Sequence, residues 1–308
     1  MSGWIDRRLV VVEGKGGTGR TTVAAALAIA AVRRGKAAMA VELSGEGSLA
    51  RRLGFAEPMF EPRAIFPGLS VASLSVTACL ADFATRKIHL GMLGRWIFES
   101  RAMTAFVESV PGLSDAVQLG KLENRLMMPL ASEPPLDLIV LDGPATGHGL
   151  TLLSSARGLR AAARVGPFHD LAAEIEALLD DTQRAAIVAV TLPELLPVHE
   201  TIELLAAQAD AGRQPDLVVV NQHLPPLLPP GLPTDDALRA LHATPELRRI
   251  ADERIAQERR QAEAIEALRT GLARIGCAAP VVTLPRLSAP PRGVDALRPL
   301  AAPLESTP

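Results

Sequence analysis

Residues Glu13–Val23 read EGKGGTGRTTV, and their spacing, G-x-x-x-x-G-[KR]-[ST], is that of a loop built to cradle phosphate. Gly14, Gly16, Gly17 and Gly19 allow the backbone to curl so that successive N–H groups, running through Lys15 and Thr18, aim at phosphate oxygens. The helix expected to open at Thr21, with Thr22 in its first turn, adds the positive end of its dipole. Thr21 is placed to offer its hydroxyl to Mg²⁺. Arg20 stands where a lysine is expected: it is permanently charged and can fork onto two oxygens, but it is longer and planar. Phosphate binding is expected to survive that exchange, whereas the geometry of hydrolysis is open.

Two further segments supply what such a loop needs. Asp137–Leu153, DLIVLDGPATGHGLTLL, is an apolar run ending in Asp142, which puts a carboxylate at the carboxyl edge of a sheet, where it can hold Mg²⁺ or its water. Gly143, Pro144 and Gly147 suit a segment that rearranges with the terminal phosphate, and His148 is either a polar loop residue or a support for that switch. Asp216–Pro226, DLVVVNQHLPP, brings Asn221 to the end of a strand, and an amide there can read a base edge through its paired donor and acceptor.

Taken in order, these residues resemble one family. GKGGTGRTT is similar to the deviant Walker loop x-K-G-G-x-G-[KR]-T-T, and DGPATGHGL to the D-x-P-x-T-G-H segment of the ArsA/Get-type (anion-transporting ATPase-like) family. LPELLPVHETIELL, with Glu200-Thr201, and VVTLPRLSAPPRGVDAL, with Pro285 and Gly293, also resemble family segments, so the likeness runs over nearly the whole chain. The resemblance implies a P-loop ATPase that uses ATP and Mg²⁺, with Thr21 and Asp142 at the metal, Asn221 on adenine and Pro285 beside it. It also implies a homodimer, or a heterodimer with a paralogue, in which Lys15 reaches the partner's nucleotide.

One departure bears on chemistry. Relatives of this kind have S-T-D-P-A-H-S-L after the second strand, with an aspartate that positions the attacking water. Here the stretch is Val41–Leu49, VELSGEGSL, with Ser44 at the aspartate position and Glu42 and Glu46 as the nearby carboxylates. Two readings follow: an ATP-hydrolysing switch that handles a client, or a hydrolysis-deficient nucleotide-binding subunit that regulates a paralogue. Cys79 and Cys277 are the only cysteines, too few for the three-cysteine arsenite site and too far apart in sequence for a zinc-binding C-x-x-C pair. Met92, Trp96, Ile97, Met103, Phe106, Val107, Met127 and Met128 belong either to the core of a helical subdomain or to a groove for an apolar helical client.

The elements that must position these groups are legible from apolar runs. Leu9–Glu13, Ala37–Leu43, Leu69–Leu74, Leu136–Asp142, Ala185–Thr191, Leu217–Asn221 and Pro280–Leu284 are continuous and β-branched, as parallel strands covered on both faces should be. Helical patterns at Thr21–Arg34, Leu171–Leu179, His199–Ala211 and Thr234–Arg274 lie between or after them. The expected fold is α/β, a doubly wound, mostly parallel sheet in one domain over 1–308, with helical insertions at about 76–132 and 234–274. LPPLLPPGLP, from Leu224 to Pro233, reads as a loop. With 48% hydrophobic residues and a net charge of −2, the chain has a large core and no basic field for nucleic acid. No apolar run is long enough to span a membrane, and a cytoplasmic protein is expected.

Overall fold

The β-branched runs have no polar face to turn to solvent, so each strand must be covered on both sides. In the computed structural model, which describes residues 3–43, 46–57, 60–87, 100–110, 112–127, 136–143, 152–228, 239 and 244–307, they form one eight-stranded sheet. The strands are β1 (Leu9–Glu13), β2 (Ala38–Glu42), β3 (Arg63–Phe66), β4 (Leu69–Ser73), β5 (Leu138–Asp142), β6 (Ala185–Thr191), β7 (Leu217–His223) and β8 (Val281–Pro285), in the order β3-β4-β2-β5-β1-β6-β7-β8. All pairings are parallel except β3 with β4. In that edge hairpin, turned at Pro67-Gly68, β4 matches the expected run Leu69–Leu74, but β3 has no counterpart in the sequence reading: it is short and partly exposed, without the unbroken apolar run that marks the others.

Alternation along the strands divides the core. Val10, Val12, Ala40 and Val140 face the helix α1 (Arg20–Arg33), whereas Leu9, Val11, Met39 and Ile139 face the opposite layer. On the first face, the run of buried alanines in α1 lets that helix lie close to the strands and to the short helix α2 (Ser48–Arg52). The opposite layer comprises α3 (Val76–Lys87), α4 (Arg101–Ser109), α5 (Leu113–Met127), α6 (Leu152–Ala162) and α7 (Pro167–Asp180). A third cluster joins α8 (Leu195–Asp210) and the 30-residue helix α9 (Pro245–Arg274) to β7 through Val198, Leu205, Ala264 and Leu268. Residues 234–243, read as the start of that helix, lie outside the described residues apart from Arg239. No helix among the described residues is long and apolar enough to cross a membrane.

The last helix, α10 (Val294–Glu305), contains Pro299 and Pro303, each of which removes a backbone donor. It persists because Leu297, Leu300, Ala301 and Leu304 are buried in the cluster that includes α1, and burial outweighs poor propensity. Leu304→Ala is therefore expected to destabilise the fold by about 2–5 kcal/mol in urea unfolding. Leu196→Ala, at a position 70% exposed, should leave stability within about 0.5 kcal/mol.

Candidate nucleotide site

Parallel strands end at one edge, and there the sequence places its polar residues. Register aligns Val12 with Asp142 and Asp142 with Glu42, so Glu13, Asp142 and Glu42 gather where β1, β5 and β2 stop. The loop after β1 leaves against β6. A Cβ on Gly14, whose φ is +151°, would collide with the Val190 carbonyl, so only glycine fits that exit. The loop is closed by Thr18, whose hydroxyl donates to the Lys15 carbonyl at 2.9 Å. Asn221, buried at the end of β7, donates Nδ2 to the Thr18 carbonyl at 2.8 Å, and a side chain on Gly19 would strike that amide. Thus β7 is pinned to the loop, and α1 begins at Arg20.

Arg20 donates Nη1 to the carbonyl of Gly143 and lies close to both Asp142 and Glu13. Burial lowers its pKa, while the two carboxylates oppose that shift. Asp142 is pushed up to about 6 by burial; a hydrogen bond from Thr21 and the charge of Arg20 pull it down, and Glu42 adds to the rise. Its Oδ1 is buried and, among the described residues, has no hydrogen-bond partner. An orphaned carboxylate oxygen beside a threonine hydroxyl is a donor set that fits Mg²⁺ or a metal-bound water.

The other expected residues are placed as follows. Gly17, Gly19, Arg20, Thr21, Thr22, Asn221 and Pro285 line one cavity of about 520 Å³. Lys15 lies to the side, its Nζ 3.7 Å from Oε1 of Glu200 on α8. Gly16 stays in the loop with open space around it. Glu42, one of the candidate carboxylates, has its oxygens committed: they accept the N–H of Gly47, the N–H of Leu49 at 2.6 Å and the hydroxyl of Ser73. It clasps the loop entering α2. The side chain of Glu46 is exposed, and Ser44, Pro144, Gly147 and His148 lie outside the described residues. Val107 is fully buried and Met103 packs against the same cluster, so these two belong to the core rather than to an open groove. Met92, Trp96, Ile97 and Met128, and the side chains of Phe106 and Met127, lie outside the described residues.

Arg52, Gln222, Arg286 and Leu287 also line the cavity, and Gln222 is the one non-glycine among the described residues with positive φ, at 58°. Gln222 stands beside Asn221 at the strand end, and Arg286 and Leu287 lie in the quoted segment around Pro285, whereas Arg52 escaped the sequence reading. Glu13 is the other omission: it read as the last residue of a strand. It is buried, accepts a hydrogen bond from Gln208 Nε2, and has its pKa pushed up to about 7 by burial, against the opposing effects of Gln208, Arg213 and Arg20.

Because folding raises this pKa from 4.5, the folded chain holds a proton that the unfolded chain has already released. Stability from this source is full below pH 4.5 and is lost as pH rises through about 7, by on the order of 3 kcal/mol in total. Glu13→Gln, which can still pair with the Gln208 amide, is expected to flatten urea-unfolding stability between about pH 6 and 7.5. The contribution of Asp142, confined below about pH 6, should remain. An unchanged slope would assign the titration to another group.

Residues 7–165 match the family model for the anion-transporting ATPase, just over half of the chain. The ATPase BagA of Mycobacterium tuberculosis H37Rv is 31% identical over 244 residues, covering 74% of this chain and 70% of the relative. An ATPase ASNA1 homolog of Entamoeba dispar is 25% identical over 70% of this chain and 76% of its own length. A putative arsenical pump-driving ATPase 2 of Aquifex aeolicus is 24% identical over 71% and 81%. With a glycine loop entering α1, a buried carboxylate at the neighbouring strand end and an amide closing the cavity, the chain belongs to the anion-transporting ATPase family.

Proposed function

We propose that the chain is an ATP-hydrolysing switch that works with Mg²⁺ as a dimer, soluble in the cytoplasm, and couples its nucleotide state to a protein client or partner. The observation that carries this reading is the pairing of the Thr21 hydroxyl with Asp142, whose Oδ1 is buried without a partner among the described residues. Thr21 and Asp142 would hold the metal, which supplies charge neutralisation on the terminal phosphates when bound. The curled loop from Gly14 to Gly19 and the start of α1 bind the phosphates, and Arg20 exchanges the Gly143 carbonyl for phosphate oxygens. Asn221 keeps Nδ2 on Thr18, which leaves Oδ1 to accept from the exocyclic amine of adenine. Guanine presents a carbonyl at that position and is disfavoured.

Lys15 is proposed to act across the dimer. Its contact with Glu200 is long and partly exposed, so it gives way at little cost, about 1 kcal/mol or less. Light scattering should show Mg·ATP doubling the mass of the wild-type protein but not that of Lys15→Ala. The buried cysteines Cys79 and Cys277 sit in different clusters, so no arsenite-stimulated activity is expected.

A second reading is favoured by one observation, the commitment of Glu42 to loop amides and Ser73. With that carboxylate occupied, the chain could bind ATP without turnover and regulate a more complete paralogue. Single-turnover ATP hydrolysis separates the two. The switch predicts Mg²⁺-dependent cleavage by the unsubstituted chain, reduced about 10–100-fold in Asp142→Asn. Cleavage that arises only in Ser44→Asp would establish the regulatory reading and locate the deficit after β2.

A further inference from the structure

We propose that Arg52 is a nucleotide-binding residue that grips the phosphates common to ATP and ADP from the side opposite the base. The inference rests on the ATP-binding reading above and assigns a contact that reading does not contain. β2, which feeds α2 and Arg52, and β7, which carries Asn221, each lie two strands from β1, on opposite sides of it. The two side chains therefore enter one cavity from opposite flanks of the phosphate loop. With the base on Asn221, on the β7 flank, Arg52 on the β2 flank faces the phosphate chain lying along the loop and the start of α1.

The stem of Arg52 is fixed while its head is under-used. Its carbonyl accepts the Gly293 N–H at 2.8 Å, and the next residue, Leu53, is buried. Among the described residues, the guanidinium makes one hydrogen bond, from Nη1 to the Pro291 carbonyl at 3.4 Å, near the limit of a useful contact. Most of its five donors are thus left to a ligand. Its neighbour Arg51 differs: it is exposed and donates to the Glu46 carbonyl and the Ser48 hydroxyl, holding the loop before α2. Since α2 follows the loop clasped by Glu42, ligand contact at Arg52 also ties occupancy of the cavity to the segment between β2 and α2.

Calorimetric titration of the full chain with ATP and with ADP tests this. Arg52→Ala is expected to weaken both by roughly tenfold, the loss of one charge-assisted hydrogen bond. Arg52→Lys should recover part of the loss, and Arg51→Ala should stay within about twofold of wild type on the same scale. Arg52→Gln serves if the alanine variant does not fold, as judged by its melting curve without nucleotide. Binding of both nucleotides by the Arg52 variant within twofold of the unsubstituted chain would overturn the proposal. A loss for ATP alone would move the guanidinium to the γ-phosphate and overturn the assignment as well. Absence of ATP binding by the unsubstituted chain would remove the nucleotide reading itself, and Arg52 with it.

Discussion

Three carboxylates meet at one edge of the sheet, and keeping them there without water is the constraint that organises the site. Parallel register brings Glu13, Asp142 and Glu42 to adjacent strand ends, all of them buried. An unpaired buried carboxylate is too costly to remain charged, so each must gain a partner or a proton. Glu42 takes backbone amides and a hydroxyl, Glu13 takes Gln208 and holds a proton near neutrality, and Asp142 takes Thr21 and the charge of Arg20. Arg20 is the cation common to Glu13 and Asp142, and its guanidinium also reaches the first carbonyl beyond β5.

This makes the arginine more than a stand-in for a lysine. A compact ammonium would serve one carboxylate as a point charge, whereas the planar fork links the phosphate loop to Gly143, at the start of the segment that follows Asp142. On the proposed reading, phosphate entering the loop would compete for the same donors that hold the Gly143 carbonyl. The clasp at Glu42 gives the loop before α2 a comparable anchor on the other side.

Much of this was legible in the amino-acid sequence for a simple physical reason. Glycines that permit a tight curl, and unbroken apolar runs that require burial on both faces, leave local marks. Seven of the eight strands and the cavity lining at Gly17, Gly19, Arg20, Thr21 and Thr22 follow from such marks, Asn221 from its place at a strand end, and Pro285 only from the family resemblance. What escaped depends on distant neighbours. β3 exists because β4 offers it an edge, and α10 tolerates two prolines because it is buried beside α1. Arg52 enters the cavity only because the chain after β8 crosses to meet α2 at Gly293. Glu42 invites a catalytic reading as a loop carboxylate, and only the folded path of Gly47 and Leu49 turns it into a clasp.

The central claim is that Arg20 and Asp142 complete a Mg·ATP site in this loop. The most direct measurement is calorimetric titration of ATP into the unsubstituted chain and Arg20→Ala, each with and without Mg²⁺. Saturable binding is expected at one nucleotide per chain, tightened by Mg²⁺, with the affinity of Arg20→Ala reduced at least about tenfold. Equal affinity with and without Mg²⁺, or binding indifferent to the loss of Arg20, would contradict it.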